Sequence, residues 1–474
     1  MSKTYPPRLA ISAIRGGSGK TVLTLGLART WRNQGFRVAA FKKGPDYIDA
    51  GWLSLASGGR CHNLDPFLMP GDTIERSFLT RACGADVGLI EGNRGLFDGS
   101  GVQGRDSTAD LARMLSAPVA LVLDCTKMTR TAAAIVLGCR HFDPELDLVC
   151  VILNQVAQRR HESVLRRAIE EGTGVPVLGA LPRMKKDPLP MRHLGVTPWE
   201  EFPGAQKALD ELGRLVKDHV DTQALKETAK KAGALSTECE NALKDPLFKK
   251  AASSGLRIGV FRDAAFQFYY PENLEAIECA GGRLVFLNAL SDKVLPEIDA
   301  LYIGGGFPET QALALSANTE LISSLKRRVE QGLPVYAECG GLMYLGRNVI
   351  WKETVYPMAG ILGWDFVMHE RPVGHGYSSL EVTGQNPFYG KGNIIRGHEF
   401  HYSRPVPAGQ GPSGSLTCKV LRGYGFDGQS DGLCYKNVFG SYTHTHALWQ
   451  KGWAEGVINA ANMFRASRDS LAAK

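Results

Sequence analysis

Two segments of the chain combine residue types at spacings that can do chemistry. Arg15-Gly16-Gly17-Ser18-Gly19-Lys20-Thr21 follows the apolar run LAISAI and precedes the helix-like TVLTLGLARTW. Glycines let backbone N–H groups approach phosphates, Lys20 adds a point charge, a helix N-terminus adds its dipole, and the Thr21 hydroxyl can hold Mg2+, so Arg15 through Thr21 reads as an ATP site. In the pattern G-x-x-x-x-G-K-T the first glycine would fall at Ile14, so the loop is a deviant one. Glu91 closes VGLIEG, where a strand end presents a carboxylate to a metal ion. Lys42, Asp46 and Asp49 in FKKGPDYIDAGW and Asp98 in GLFDG add a dense polar set on loops after strands. Thr21, Asp46 and Glu91 are the candidate metal ligands, Lys42 and Asn154 further nucleotide-binding residues, and Asp46, Asp49 and Asp98 candidate catalytic carboxylates.

The second segment is PVYAECGGLMYL, in which Cys339 stands between an apolar strand and Gly340-Gly341 opening a helical run. A strand, sharp turn and helix expose a side chain, and the helix N-terminus both lowers a thiol pKa and supplies oxyanion donors, Gly340 among them. Gly304-Gly305-Gly306 after ALYI offers a second set of N–H groups for an oxyanion hole. His444 and His446 in SYTHTHAL fall on one face of an expected strand, and either is a candidate base for Cys339. Thiol, imidazole and glycine turn together spell acyl transfer. A metal site on the two histidines lacks a third ligand at a typical spacing.

These residues need elements to position them. At roughly 150 residues per domain, 474 residues predict two or three domains. The first 200 residues alternate helix-like stretches with RLAISAI, RVAAF, VGLIEG, PVALVLD, LVCVILN and VPVLGALP, non-alternating apolar runs that predict a parallel sheet covered on both faces. Residues 201–255 hold nine Lys/Arg and nine Asp/Glu, no strand-like run, and Leu209, Leu212 and Val216 at helical spacing, which reads as a solvated helical linker. A second α/β pattern, LRIGVF, RLVFLNA, ALYIGGG and PVYAECGG, fills residues 256–474 and closes on GHGYSSLEV, IIRGHEFHYS and GSYTHTHAL, which suggest an antiparallel edge. The fold class is therefore α/β, with two domains of catalytic size.

Composition excludes other classes. With 44% hydrophobic and 22% charged residues, the chain is neither disordered nor fibrous. Its net charge of +7 is too diffuse for nucleic-acid binding, and no apolar run approaches the ~18 residues that span a bilayer. Ten cysteines without a C-x-x-C pair indicate neither zinc nor a disulfide framework and fit a reducing cytoplasm.

FKKGPDYIDAGW, NLDPFL, EGNRGLFDG, LPMRHLGV, RDAAFQFYYPENLE, LYIGGGFPE, AECGGLMYL, RGHEFHYS and SYTHTHAL resemble, over nearly the whole chain, the cobyrinic acid a,c-diamide synthase family. The resemblance implies an N-terminal ATP-dependent amidoligase with the phosphate loop of the MinD and dethiobiotin-synthetase superfamily, fused to a class I glutamine amidotransferase. It implies that Cys339 is the glutaminase nucleophile, His444 its base and Gly304–Gly306 the oxyanion hole. Lys20, Thr21 and Glu91 match the nucleotide and magnesium positions, and Asp46, Asp49 and Asp98 lie near the acyl-activation site. His446 stands where many class I amidotransferases have the glutamate that orients the histidine. Arg15 replaces that superfamily's signature lysine, which raises a homodimer in which it reaches a second copy's nucleotide. The implied substrates are glutamine and a polycarboxylate tetrapyrrole, for which Arg192, His193, Arg396, His398 and His401 are candidate anchors.

The implied acceptor is the pair of a and c acetates of cobyrinic acid; sirohaem, sirohydrochlorin and nickel-sirohydrochlorin are alternatives, favoured by the departures IRGGSGKT and Gly51-Trp52. A shielded path for ammonia between the two sites is expected, since free ammonia would protonate and escape. A MinD-like ATPase switch would use the same loop but has no use for Cys339, His444 and the Gly304 turn.

Overall fold

The computed structural model describes residues 5–184, 188–189, 191–192, 195–409 and 411–472 and divides into two compact units, Met1–Leu247 and Phe248–Lys474. In the first, strands β1 (Arg8–Ala13), β2 (Val38–Lys43), β3 (His62–Leu64), β4 (Val87–Glu91), β5 (Val119–Asp124), β6 (Leu148–Val156) and β7 (Val177–Pro182) form one sheet ordered β3-β2-β4-β1-β5-β6-β7. Every pairing in it is parallel. β1 and β4 are buried at every residue, as strands covered on both faces must be. The short β3 lacks the apolar run that marks the other six. A two-stranded ribbon, β8 (Met191–Arg192) with β9 (Gly195–Val196), follows the sheet.

The stretch read as a solvated linker is not one. Its helix Ala205–His219 lays Leu209, Leu212 and Val216 into the same core as Leu23, Leu27 and Trp31 of the helix Lys20–Asn33. The two helices pack so closely that a Cβ on Gly26 would lie 2.3 Å from Val216 Cγ2. Balanced surface charge hid an amphipathic helix whose apolar stripe has a partner. The expectation of no disulfide also needs correction: Cys83 and Cys239 are bonded across 156 residues, joining the ends of the helices Gly71–Ala82 and Cys239–Lys244. The missing C-x-x-C motif speaks only of neighbours in sequence.

In the second unit, β10 (Leu256–Phe261), β11 (Gly282–Leu287), β12 (Ala300–Ile303) and β13 (Val335–Glu338) are parallel. A small sheet of β14 (Asn348–Trp351), β15 (Thr354–Pro357), β16 (Trp364–Met368) and β19 (Ser403–Pro407) branches off. The chain then returns through β17 (Gly374–Val382), β18 (Ile394–His401), β20 (Ser415–Arg422), β21 (Ser430–Tyr435), β22 (Val438–Ser441) and β23 (His444–Thr445). The main sheet runs β11-β10-β12-β13-β22-β21-β20-β17-β18-β23, parallel as far as β22 and antiparallel beyond. Odd residues Leu301, Ile303, Val335 and Ala337 face one core and even residues Ala300, Tyr302 and Tyr336 the other, so the last residue of β13, Glu338, points with the tyrosines.

If residues 205–219 belong to the first core, Gly26→Val should lower its unfolding free energy by roughly 2 kcal/mol through overpacking. A urea melt checks this; an unchanged midpoint would return the helix to the role of linker.

Candidate active sites

The phosphate loop is shaped by glycines. Gly17 and Gly19 adopt φ of 76° and 96°, and a Cβ on Gly19 would fall 2.1 Å from Asn154 Nδ2. Asn154, on β6, donates that amide to Ser18 O at 2.9 Å and fixes the loop. Lys20, first residue of the helix, folds back and donates to Arg94 O at 2.6 Å and Arg15 O at 3.4 Å. Burial, then Lys42, lowers its pKa, with Glu91, Asp49 and Asp98 opposing. Thr21 Oγ1, on the helix that follows β1, donates to Glu91 Oε1 at the end of β4 at 2.8 Å.

Lys42, an expected nucleotide-binding residue, is engaged by carboxylates in this structure. Its buried ammonium contacts Asp49 Oδ2 at 2.6 Å, Glu91 Oε1 at 2.9 Å and Asp46 Oδ2 at 3.9 Å. Burial opposes that charge, but Asp49, Glu91 and Asp46 outweigh it and hold its pKa well above the ordinary value. The three acids divide: burial and then Asp49 push Asp46 up to about 7, burial also raises Glu91, while at Asp49 burial is outweighed by Lys42 and the pKa falls. Asp98 accepts from Gly95 N at 2.9 Å and so holds a turn. Arg15 is 74% exposed and meets Asp124 Oδ2 at 3.3 Å. The Glu91 Oε2 atom is buried without a hydrogen-bond partner among the described residues, a donor set that fits a divalent cation shared with Thr21.

In the second unit Cys339 sits at φ 46°, ψ −100°, between β13 and the helix Gly340–Leu345, the strained elbow expected, but its side chain is buried rather than exposed and its thiol pKa is raised rather than lowered. Its N–H donates to Ser441 O at 2.7 Å. Burial pushes the thiol pKa up, Glu309 and Glu338 add to it, and the Gly340 N–H opposes. A Cβ on Gly340 would be 3.0 Å from Gly306 N, so elbow and glycine turn abut. The His444 ring lies on that turn, 2.3 Å at Cε1 from where a Gly305 Cβ would be. Of the three glycines, Gly304 is committed elsewhere: its N–H donates to Tyr269 Oη at 2.8 Å. This corrects the expected hole, whose candidate donors are Gly305, Gly306 and Gly340.

The two histidines of SYTHTHAL do not share a face. His444 Nδ1 is 3.8 Å from Glu338 Oε2, whereas His446 follows the two-residue β23 and pairs with Glu272 Oε2 at 3.7 Å. The His446 ring lies tilted against Tyr270, with centroids 4.5 Å apart. Burial, with His401 adding, depresses the His444 pKa to about 3, and burial raises Glu338 to about 7. His398, expected to anchor substrate, is buried and stacked on His444 at 4.8 Å, with Nδ1 3.2 Å from Tyr270 Oη. Arg396 lies 4.1 Å from the Trp449 ring, and His401 stacks on Tyr442 at 3.7 Å. His193 and the side chain of Arg192 lie outside the described residues. Sequence reading missed Glu338 and Tyr269; the signal for Glu338 was its place beside Cys339 at a strand end.

A phosphate loop of this form in one unit and, in the other, a thiol elbow abutting a glycine turn on which an imidazole lies define a glutamine amidotransferase joined to a nucleotide-binding domain. Residues 9–196 match the family model for the CobQ/CobB/MinD/ParA nucleotide binding domain, and residues 257–451 that for the CobB/CobQ-like glutamine amidotransferase domain. The cobyrinate a,c-diamide synthase of Magnetococcus marinus is 43% identical over 94% of this chain and 96% of its own length. That of Archaeoglobus fulgidus is 41% identical over 96% and 97%, and that of Dehalococcoides mccartyi 38% over 97% and 99%. The chain belongs to the cobyrinate a,c-diamide synthase family, whose amidotransferase domain distinguishes it from a nucleotide switch alone. Among the described residues no helix is long and apolar enough to cross a membrane.

Burial, then His444, His446 and His375, hold His398 neutral in the fold, whereas the unfolded chain ionises it near pH 6.5. Stability from this neutral form is complete above that pH and is lost as pH falls, by about 1.4 kcal/mol per unit. Urea melts at about pH 7.5 and about pH 5 should show the parent losing more stability than His398→Phe, by roughly 1–2 kcal/mol; equal losses would mean that His398 is ionised in the fold. Separately, Gly305→Ala should displace His444 and cut glutaminase turnover by about 10²-fold or more, the scale of general base catalysis, with ATP affinity unchanged.

Proposed function

We propose that the chain uses ATP, Mg2+ and glutamine to amidate the a and c acetate carboxylates of cobyrinic acid. The observation that carries this reading is the strained Cys339 elbow abutting the glycine turn on which His444 lies, in a chain that also holds a phosphate loop. The Cys339 thiol gives its proton to His444 and its sulfur attacks the glutamine amide carbon. The N–H groups of Gly305, Gly306 and Gly340 face the oxyanion. The C–N bond then breaks, the imidazolium returns the proton to the leaving nitrogen as ammonia, and water clears the thioester to glutamate.

A bare carboxylate is too poor an electrophile for ammonia. Transfer of the ATP γ-phosphoryl group gives an acyl phosphate and ADP, and ammonia then displaces phosphate to leave the amide. Lys20 and the loop N–H groups bind the phosphates, and Asn154 holds the loop that presents them. Thr21 and Glu91 are the residues that would hold Mg2+, with Asp46 nearby. Bound there, the ion would offset the negative charge of the phosphates. The names of the curated relatives support cobyrinic acid as acceptor.

The test offers cobyrinic acid, hydrogenobyrinic acid, sirohydrochlorin and sirohaem in parallel, with mass spectrometry reading replacement of OH by NH2. Cobyrinic acid should gain two such changes; exclusive reaction of another macrocycle would reassign the acceptor. Cys339→Ala should abolish glutamine-dependent amidation and keep the ammonia-dependent reaction, whereas Lys20→Ala or EDTA should abolish both. Glutaminase surviving in Cys339→Ala would sink the nucleophile assignment.

A further inference from the structure

The chain has His446 where the orienting carboxylate of an ordinary class I amidotransferase would stand, so the base His444 needs its carboxylate from elsewhere. Three buried His–Glu pairs crowd this part of the second unit: His444–Glu338 at 3.8 Å, His446–Glu272 at 3.7 Å and His401–Glu399 at 3.8 Å. Only the first contains the imidazole lying on the glycine turn, and its carboxylate belongs to the residue directly preceding the thiol. Glu399 is occupied otherwise, accepting from Tyr424 N and from Gly425 N at 2.7 Å.

We infer that Glu338 is the positioning residue for His444, replacing the carboxylate that position 446 lacks. The inference rests on the roles proposed above for Cys339 and His444. Strand alternation sends Glu338 to the face opposite Ala337, and there it is fixed before any substrate arrives. Its Oε1 accepts from Thr445 N at 3.0 Å and Thr445 Oγ1 at 2.9 Å, and its Oε2 accepts from Tyr302 Oη at 3.0 Å. The Thr445 bonds pin the carboxylate to the residue after His444, so carboxylate and imidazole are held by one strand. With Nδ1 turned to Glu338, Nε2 is the nitrogen that takes the Cys339 proton. The imidazolium so formed is buried and faces a carboxylate that can carry the countercharge. Other titratable groups against this pair include His398 on β18, His401 at its end, Tyr302 and Tyr336 on β12 and β13, Tyr269, Tyr389 and the Cys339 thiol itself.

The experiment measures the rate at which iodoacetamide alkylates Cys339, against pH, in the full chain and in Glu338→Gln, Glu338→Asp, Glu272→Gln, His446→Asn and His444→Ala. Peptide mass spectrometry locates the label, and far-UV circular dichroism with ATP binding confirms folding. This readout needs neither glutamine nor a macrocycle. Glu338→Gln should slow alkylation at neutral pH at least about tenfold and move the pH profile towards alkali, Glu338→Asp should recover part of the rate, and Glu272→Gln and His446→Asn should follow the parent. A parent-like profile in Glu338→Gln, or an equal loss in Glu272→Gln or His446→Asn, would overturn the inference. So would a Glu338→Gln that fails to fold beside a Glu338→Asp that folds and shows the full loss, because the shorter acid keeps the charge. If His444→Ala itself leaves the profile unchanged, the failure lies with the base assignment rather than with Glu338.

Discussion

The second unit is organised around one backbone constraint, the left-handed conformation of Cys339 at φ 46°. A non-glycine residue in that region costs of order 1–3 kcal/mol and persists only where its surroundings over-determine it. Here they do: β22 holds the Cys339 N–H through Ser441 O, and Gly340 and Gly341 let the helix come within reach of the turn after β12. A Cβ at Gly341 would lie 2.5 Å from Ile303 O, so the close approach that forces the elbow is open only to glycine. The glycine turn, the imidazole above it and the carboxylate before it take their places from that packing.

Charge is handled differently in the two units. Around Lys42 a buried cation is met by more than one carboxylate, and burial, with Asp49 adding, raises the pKa values of Asp46 and Glu91. That arrangement leaves acidic oxygens beside the phosphate loop. Around Cys339 burial works against charge, pushing the thiol and Glu338 up and the imidazoles down. A proton passed from thiol to imidazole separates charge there in surroundings whose dipoles are already aligned.

The sequence made both loops readable because their signals are local. Strand, glycine spacing, lysine and hydroxyl stand within one short stretch for Lys20 and Thr21, and strand, cysteine and paired glycines within another for Cys339. The parallel strands were equally visible as apolar runs, apart from β3, whose His62 and Asn63 are buried without being apolar, and β22, which pairs in parallel with β13 although that stretch was expected to be antiparallel. What stayed illegible depends on residues far apart in the chain. The match of the helix 205–219 to Gly26, the bond between Cys83 and Cys239, and the capture of the Gly304 N–H by Tyr269 are facts of tertiary packing, and no spacing announces them. His444 and His446 show the limit within one motif: two-residue spacing implied a shared face, but the strand ends at Thr445 and the two rings meet different acids.

The order of strands in the second sheet bears on the birth of the protein. Cys339 directly follows a strand in the parallel half, while His444 arrives on the final short strand, after the chain has laid down the other antiparallel strands. On the roles proposed, a ribosome that has released the elbow has still to make every residue up to His444 before the thiol meets its base. On those roles unfinished chains carry a thiol without its base, and ammonia release waits on synthesis of the strand that brings His444.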